Sequence, residues 1–120
     1  MAILSKILIV LVALEHFYIL YIEMFSWEHL GKKTFKEIPK DLFKPTKAMA
    51  ANQGLYNGFL AVGLLWTLFI SNPIWSNNIA LFFLGCIIIA GIYGSLSISK
   101  KILYTQAIPA AAAFICILLS

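Results

Sequence analysis

Residues 3–25 read ILSKILIVLVALEHFYILYIEMF, and this apolar stretch decides the fold. It has the length of a membrane helix, because about 20 residues cross a hydrocarbon core of about 30 Å. Two adjacent ionisable residues, Glu15 and His16, interrupt it near the middle. A charged side chain at the centre of a bilayer costs about 2.5–3.5 kcal/mol on insertion scales, so such residues usually have a partner or a function. The pair is therefore our first candidate for a functional site.

The composition of the whole chain agrees with a membrane protein. Of its 120 residues, 62% are apolar and 12% are charged, and the mean hydropathy is +0.92. Soluble domains have about 45–50% apolar residues, and about 25% of their residues are charged. The chain is therefore expected to be solvated largely by lipid. Its length predicts a single domain that covers residues 1–120.

Three further segments, 48–70, 79–97 and 102–119, have the length and composition of membrane helices. Together with 3–25 they predict an all-α membrane protein with four transmembrane helices in an up-and-down bundle. Pro109 lies inside the fourth segment, where we expect a kink and not a break. The first segment continues for about two turns past His16 without a clear cleavage site, which favours an uncleaved helix over a signal peptide.

The lysines predict the orientation. The chain has nine lysines, no arginine and five carboxylates, which give a formal net charge of +4. The loop 26–47 contains Lys32, Lys33, Lys36, Lys40, Lys44 and Lys47, and the turn between the third and fourth helices contains Lys100 and Lys101. The positive-inside rule places both loops in the cytoplasm. Both termini and the turn 71–78 are then outside, in a multi-pass protein of the cytoplasmic (inner) membrane. This asymmetry fits topology better than nucleic-acid binding, so we expect no nucleic-acid partner.

The basic loop has two interpretations. Its apolar residues Phe35, Ile38, Leu42 and Phe43 suit one face of a short amphipathic helix at the cytoplasmic interface, although Pro39 limits its regularity. A solvated linker is the alternative. Trp27 lies where aromatic belts form at the membrane surface.

Depth along the helices groups the polar residues in the cytoplasmic half. At a rise of 1.5 Å per residue from each cytoplasmic helix end, Glu15, His16 and Asn57 lie roughly 14 Å deep. Gln53 then lies about 8 Å deep and Glu23 about 3 Å deep. His16 and Glu23 are seven residues apart and therefore share a stripe of the first helix.

Rotation about the helix axes adds further members. Gln53, Tyr56 and Asn57 follow i, i+3, i+4 spacing on one face of the second helix. Gly54 and Gly58 form a small-residue pair on the side of this helix opposite Gln53 and Tyr56. The third and fourth helices contribute Tyr93 and Gln106. We therefore predict a polar pocket open to the cytosol. Its ligand-binding residues are Glu23, Gln53, Tyr56, Asn57, Tyr93 and Gln106, and its proton carriers are Glu15 and His16 if it is catalytic.

Four blocks of the chain resemble a known family. They are LEHFYILYIEMF (14–25), ANQGLYNGFLA (51–61), AGIYG (90–94) and KILYTQ (101–106) followed by Pro109. In these blocks the chain resembles the domain-of-unknown-function family 1304, a family of small bacterial and fungal integral membrane proteins. The resemblance covers nearly the whole chain. It implies a four-helix membrane protein and implies no particular activity.

Three functions fit these residues. The first is binding or transport of a small amphipathic or cationic molecule, with carboxylates and tyrosine faces attracting the positive charge. Transport would favour a homodimer, because four such helices usually need a second copy to form a path with two gates. The second is an intramembrane acid/base enzyme, similar to an isomerase, acting on a hydrophobic substrate. The third is a structural membrane partner. We predict no metal, since only one histidine lies within the predicted membrane segments, and no cofactor.

Overall fold

The computed structural model describes residues 1–120, and all of its regular elements are helical. The four long helices are α1 (Ile3–Phe25), α2 (Lys47–Thr67), α3 (Pro73–Ser97) and α4 (Ile108–Leu119). A π-helical turn, Leu103–Ala107, leads directly into α4. The connection from α1 to α2 contains a π turn (Trp27–Gly31), a one-turn α-helix (Lys32–Thr34) and a 3-10 turn (Lys40–Leu42).

The long helices form a closed up-and-down arrangement. Helix α1 packs against α2 and α4, and α3 packs against the same two helices, so helices that follow one another in sequence are neighbours. The molecule measures 48 × 23 × 17 Å. The Ser99 hydroxyl donates a 2.6 Å hydrogen bond to Glu37 Oε2, which brings the two lysine-rich connections to one end of the bundle. We call this end the basic end; all lysines except Lys6 belong to it.

Three helix boundaries differ from the sequence prediction. Helix α3 begins at Pro73 and not at 79, because Asn72 Oδ1 accepts hydrogen bonds from the backbone N–H groups of Ile74 (3.0 Å) and Trp75 (3.1 Å). Such a cap supports a helix start, and Pro73 in the first turn needs no N–H partner. Helix α2 ends at Thr67. In the fourth segment the α-helix begins at Ile108 and not at 102, because residues Leu103–Ala107 form a π turn, in which the Ile108 N–H bonds to the Leu103 carbonyl. The segment is not broken at Pro109.

Two helices, α1 and α3, are long and apolar enough to cross a membrane by length and composition. The segment Leu103–Leu119 is apolar but shorter. Helix α2 has the length but lower hydropathy, because it carries Asn52, Gln53 and Asn57. On this measure the bundle therefore has two candidate spans where the sequence predicted four.

Close packing between the helices depends on small side chains. A Cβ atom on Gly54 would lie 2.8 Å from Met24 Cγ, and one on Gly58 would lie 2.6 Å from Leu20 Cδ1, so both glycines face α1. A Cβ on Gly91 would lie 2.8 Å from the Ala107 Cβ and 2.9 Å from its backbone nitrogen. Glycines let backbones approach in this way. The predicted glycine face of α2, opposite Gln53 and Tyr56, is confirmed.

The main core lies along the bundle axis. It consists of eleven buried residues: Ile9, Val12, Ala13, Ala61, Leu64, Ala80, Leu84, Ile87, Ala110, Ala113 and Ile117. Many larger apolar side chains, such as Leu11, Phe59 and Phe82, point outward instead. The bundle is therefore apolar both inside and outside.

The amphipathic helix predicted around Phe35–Phe43 does not form. The rings of Phe35 and Phe43 pack on Trp27, with centroid distances of 5.6 and 4.8 Å, and Phe43 is fully buried. Trp27 Nε1 donates to Thr46 Oγ1 over 3.0 Å. Pro39 has no N–H and interrupts a helix, while the buried Trp27 gives the two phenylalanines apolar surface within the protein. Residues 26–46 therefore form a compact unit, the loop cap, over the basic end.

Candidate functional site

A cleft of about 320 Å³ lies between α1, the loop cap and the turn that leads into α4. Helix α1 contributes Glu15, Tyr18, Ile19 and Ile22, the loop cap Thr34 and Phe35, and the last part of the chain Ser99, Lys101, Ile102, Thr105 and Gln106. The walls are therefore half apolar and half polar. The cleft is near the basic end because Ser99, Lys101 and the loop cap close it on that side.

Glu15 supplies the unusual polar group of this cleft. Its Oε1 atom is buried and has no hydrogen-bond partner. Buried carboxyl oxygens without a partner are rare in folded proteins, because the lost hydration is not replaced. A donor group on a bound molecule would satisfy this oxygen.

The π turn Leu103–Ala107 contributes Thr105 and Gln106 to the cleft. A π turn places an extra residue in the helix and changes the direction of the side chains around it, and such turns are frequent at functional sites. Gly91 of α3 packs directly against Ala107 at the end of this turn. The contact with Gly91 therefore fixes the turn on the side away from the cleft, and the polar residues of the turn face the cleft.

A cluster of polar side chains at the basic end of the cleft consists of Ser99, Lys101 and Glu37. Ser99 and Lys101 line the cleft, and Ser99 donates its hydroxyl hydrogen bond to Glu37 of the loop cap. That bond, followed by a backbone hydrogen bond at Glu37 and the charge of Lys101, lowers the pKa of Glu37 below its ordinary value of 4.5. The carboxylate of Glu37 is thus the favoured form and ties the loop cap to the α3–α4 connection.

His16 does not line the cleft. The side chain is 1% exposed, and its Nδ1 atom is 2.8 Å from the Val12 carbonyl oxygen in the preceding turn of α1. Successive residues of a helix point about 100° apart, so Glu15 and His16 face different directions. The structure does not bring the two predicted proton carriers into one cavity, and their catalytic role stays a prediction.

Glu23 and Asn57 form a separate buried pair. Asn57 Nδ2 donates a 2.6 Å hydrogen bond to Glu23 Oε1 across the α1–α2 interface, away from the cleft. The depth estimate was wrong here, since it placed Asn57 level with His16. Helix α2 begins beyond the end of α1, with Ala50 in one apolar cluster with Trp27, so depths measured from the two helix ends have different origins.

The other predicted ligand-binding residues separate into two groups. Gln106 lines the cleft. Gln53 is exposed on α2, and Tyr56 and Tyr93 are 60% and 72% exposed on the outer surface. The expected polar face of α2 is therefore divided, because the close packing of Gly54 and Gly58 on α1 also turns Asn57 inward. A ligand-binding role for Gln53, Tyr56 and Tyr93 stays a prediction outside this cleft.

Sequence reasoning did not identify several residues that line the cleft. Phe35 was used only as part of the loop. Lys101 was used as a signal of topology and, together with Thr105, as part of the KILYTQ block, and Thr34 was not singled out. The i, i+4 spacing of Lys101 and Thr105, next to Gln106, was the available signal for a polar face.

No three His, Cys, Asp or Glu residues lie close enough together to hold a metal ion. Cys86 and Cys116 are both free thiols. Ser5 Oγ donates a hydrogen bond to Cys116 Sγ over 3.2 Å, which joins α1 to α4 at the end opposite the loop cap. Cys116 is therefore part of the packing between α1 and α4.

Comparison with known proteins places this architecture in a family. The chain is 38% identical over 108 residues to the uncharacterized protein YpaA of Lactococcus lactis subsp. lactis (strain IL1403), an alignment that covers 88% of this chain and 89% of YpaA. No solved structure matches the chain. The family described as "Protein of unknown function (DUF1304)" matches residues 10–118, which include all the residues of the cleft. The chain therefore belongs to the DUF1304 family.

Proposed function

We propose that the protein is a four-helix integral membrane protein that binds a small amphipathic molecule, with a cationic or hydrogen-bond-donating head, in the cleft at Glu15. The observation that carries the proposal is the buried, unpartnered Oε1 of Glu15 in a cleft of about 320 Å³. Sites for small molecules usually measure about 300–1,000 Å³ and combine apolar walls with a few polar groups.

The outer surface supports the membrane part of the proposal. Large apolar side chains are exposed on all four helices, for example Leu11 on α1, Phe59 on α2, Phe82 on α3 and Ile115 on α4. Monomeric soluble proteins rarely expose contiguous apolar patches of more than a few hundred Å². Lipid on this surface would make α2 and α4 cross the membrane together with α1 and α3. The lysines at the basic end support a cytoplasmic position for that end under the positive-inside rule.

The lining residues support an amphipathic ligand. The carboxyl oxygen of Glu15 accepts a hydrogen bond or attracts a positive charge. Tyr18 and Phe35 offer aromatic faces to a cationic head. Ile19 and Ile102 provide apolar walls for the rest of the molecule. Binding is favoured over transport in a single copy of the chain, because transport needs access from two sides.

The two other functions have weaker support. An intramembrane acid/base enzyme would need its proton carriers in contact with one substrate, and His16 is bonded to the Val12 carbonyl outside the cleft. A structural membrane partner would not need an unpartnered buried oxygen at Glu15. No observation favours either over ligand binding.

The test is native mass spectrometry of the purified protein in mild detergent, for wild type and two variants. Glu15→Gln removes the carboxylate from the cleft. We expect its affinity for the co-purifying molecule to fall by about 5- to 12-fold, because the neutral amide oxygen still accepts a hydrogen bond but one that is about 1–1.5 kcal/mol weaker than a bond to a carboxylate. Glu23→Gln is the matched control, because it removes the other carboxylate of α1, which lies outside the cleft.

Retention of the bound molecule by Glu23→Gln together with its loss from Glu15→Gln supports the proposal. Equal loss from both variants, with both still folded by circular dichroism, contradicts a site at Glu15. The absence of a bound molecule from wild type contradicts it as well and favours a structural role.

A further inference from the structure

A second concave surface lies on the loop cap, apart from the cleft. It is a groove of about 670 Å³, and its polar lining consists of Glu28, His29, Lys32, Lys33, Lys36 and Lys40. We call it the lysine groove. It shares no residue with the cleft at Glu15. Four lysines around one concave surface generate a concentrated positive potential.

The carboxylates of the loop cap leave these lysines without ion pairs. Glu28 pairs with Lys47 of α2 at 3.8 Å, which is the only salt bridge in the structure. Glu37 is bonded to Ser99 and faces Lys101. Asp41 is exposed and forms no ion pair. The positive charge of the groove is therefore available to an external anion.

The position of the groove indicates the kind of anion. The helix ends on either side of the loop cap expose Phe25, the last residue of α1, and Met49, in the first turn of α2. Apolar surface on the helices thus continues up to the basic loop. In a bilayer this is the level at which hydrocarbon gives way to phosphate.

We infer that the lysine groove binds the phosphate-bearing headgroup of an anionic membrane lipid, whose acyl chains lie against the bundle. The inference rests on the membrane embedding proposed above and not on a ligand at Glu15. Lysine binds phosphate as a compact point charge, so several lysines around a groove suit a mobile headgroup. Each lysine near an anionic leaflet adds about 1 kcal/mol to the attraction, which is about fivefold in affinity.

The experiment reconstitutes the full chain into vesicles of equal parts phosphatidylcholine and phosphatidylglycerol. The protein is then extracted into mild detergent, and its retained lipids are counted by native mass spectrometry. The test variant is Lys33→Gln with Lys36→Gln, two exposed groove residues. The matched control is Lys44→Gln with Lys100→Gln, which removes the same charge from exposed positions at the basic end outside the groove.

We expect wild type and control to retain phosphatidylglycerol in preference to phosphatidylcholine. The groove variant should lose this preference by about tenfold or more. Equal losses in both double variants would overturn the inference in favour of diffuse attraction, and so would the absence of any preference in wild type. Binding of inorganic phosphate by the detergent-solubilised protein, without a lipid preference, would overturn it in favour of a soluble anion.

The same experiment separates this inference from the ligand proposal. Glu15→Gln should leave the lipid preference unchanged, because Glu15 does not line the groove. A wild-type chain that fails to float with the vesicles would contradict the membrane embedding on which the inference rests.

Discussion

Asn57 shows how one side chain can have a different role from the one its sequence position indicates. Its spacing from Gln53 and Tyr56 predicted a ligand-binding face, but it lies on the face of α2 that packs on α1 and bonds to Glu23. The helices α1 and α2 approach each other closely at Gly54 and Gly58, which makes the contact between Asn57 and Glu23 possible. A buried carboxyl that keeps one good donor costs less than one that has none. Glu23 and Asn57 therefore join two helices, whereas Glu15 keeps an oxygen free.

We predict that Asn57→Ala lowers the free energy of unfolding by about 1–2 kcal/mol, because it leaves Glu23 buried without its donor. Denaturant titration of the detergent-solubilised protein, followed by circular dichroism, measures the change. Gln53→Ala is the control on the exposed side of the same helix and should change stability by less than about 0.5 kcal/mol. Equal effects of the two substitutions would show that the Glu23–Asn57 bond adds nothing to stability.

The loop cap is the element whose structure differs most from the sequence prediction. Phe35 and Phe43 do not lie along a predicted amphipathic helix; they pack on Trp27, and Phe35 also forms part of the cleft. Glu37 accepts a hydrogen bond from Ser99 and so connects the cap to the α3–α4 connection. The cap is therefore both a folded unit and one wall of the candidate site.

We predict that Ser99→Ala raises the pKa of Glu37 toward its ordinary value of 4.5, since the Ser99 hydrogen bond is the largest cause of the lowered value. A carboxyl with a lowered pKa contributes stability above its ordinary pKa, and that contribution is lost as the pH falls through the lowered value. In wild type the tie between cap and bundle should therefore persist below pH 4.5 and weaken as Glu37 becomes protonated.

Carbon-13 NMR titration of the Glu37 carboxyl measures this pKa. Ser97→Ala is the control, because Ser97 bonds to the Tyr93 carbonyl within α3 and not to the loop cap. An unchanged pKa of Glu37 in Ser99→Ala would show that the bond does not hold the carboxylate in solution.

For the whole molecule, the distribution of charge along the long axis is the main observation. All lysines except Lys6 belong to the basic end, and both ends of the chain lie with the α2–α3 turn at the other end. Between them the outer surface of the helices is largely apolar. This arrangement suits a molecule with one end in each aqueous phase and a lipid-facing belt between them.

We predict that Lys36→Cys and Ser71→Cys react with a membrane-impermeant maleimide from opposite sides of the membrane. The background carries Cys86→Ser and Cys116→Ser, so that neither native thiol contributes. Lys36→Cys should react only in inside-out vesicles and Ser71→Cys only in intact cells, because the positive-inside rule predicts that the lysine-rich end faces the cytoplasm. Reaction of both positions from one side would contradict the proposed topology.

The sequence by itself determined where the long helices lie, that Pro109 leaves the last segment unbroken, and that the lysines gather in two connections. These are local properties, since length and apolar content act within one segment. It also indicated Glu15 and Gln106, because polar groups in apolar helices are conspicuous wherever the helices end up.

Only the tertiary structure decided which polar residues meet. Two helices can slide and rotate against each other without any change in the spacing of the residues along each helix. The depth of a residue and the helix face on which it lies therefore do not identify the residue that it contacts. The offset of α2 beyond the end of α1 placed Asn57 against Glu23, and the folding of the loop cap around Trp27 placed Phe35 in the cleft. Both results depend on the close approach of residues that are distant in sequence. A single amino-acid sequence contains no direct signal for such contacts.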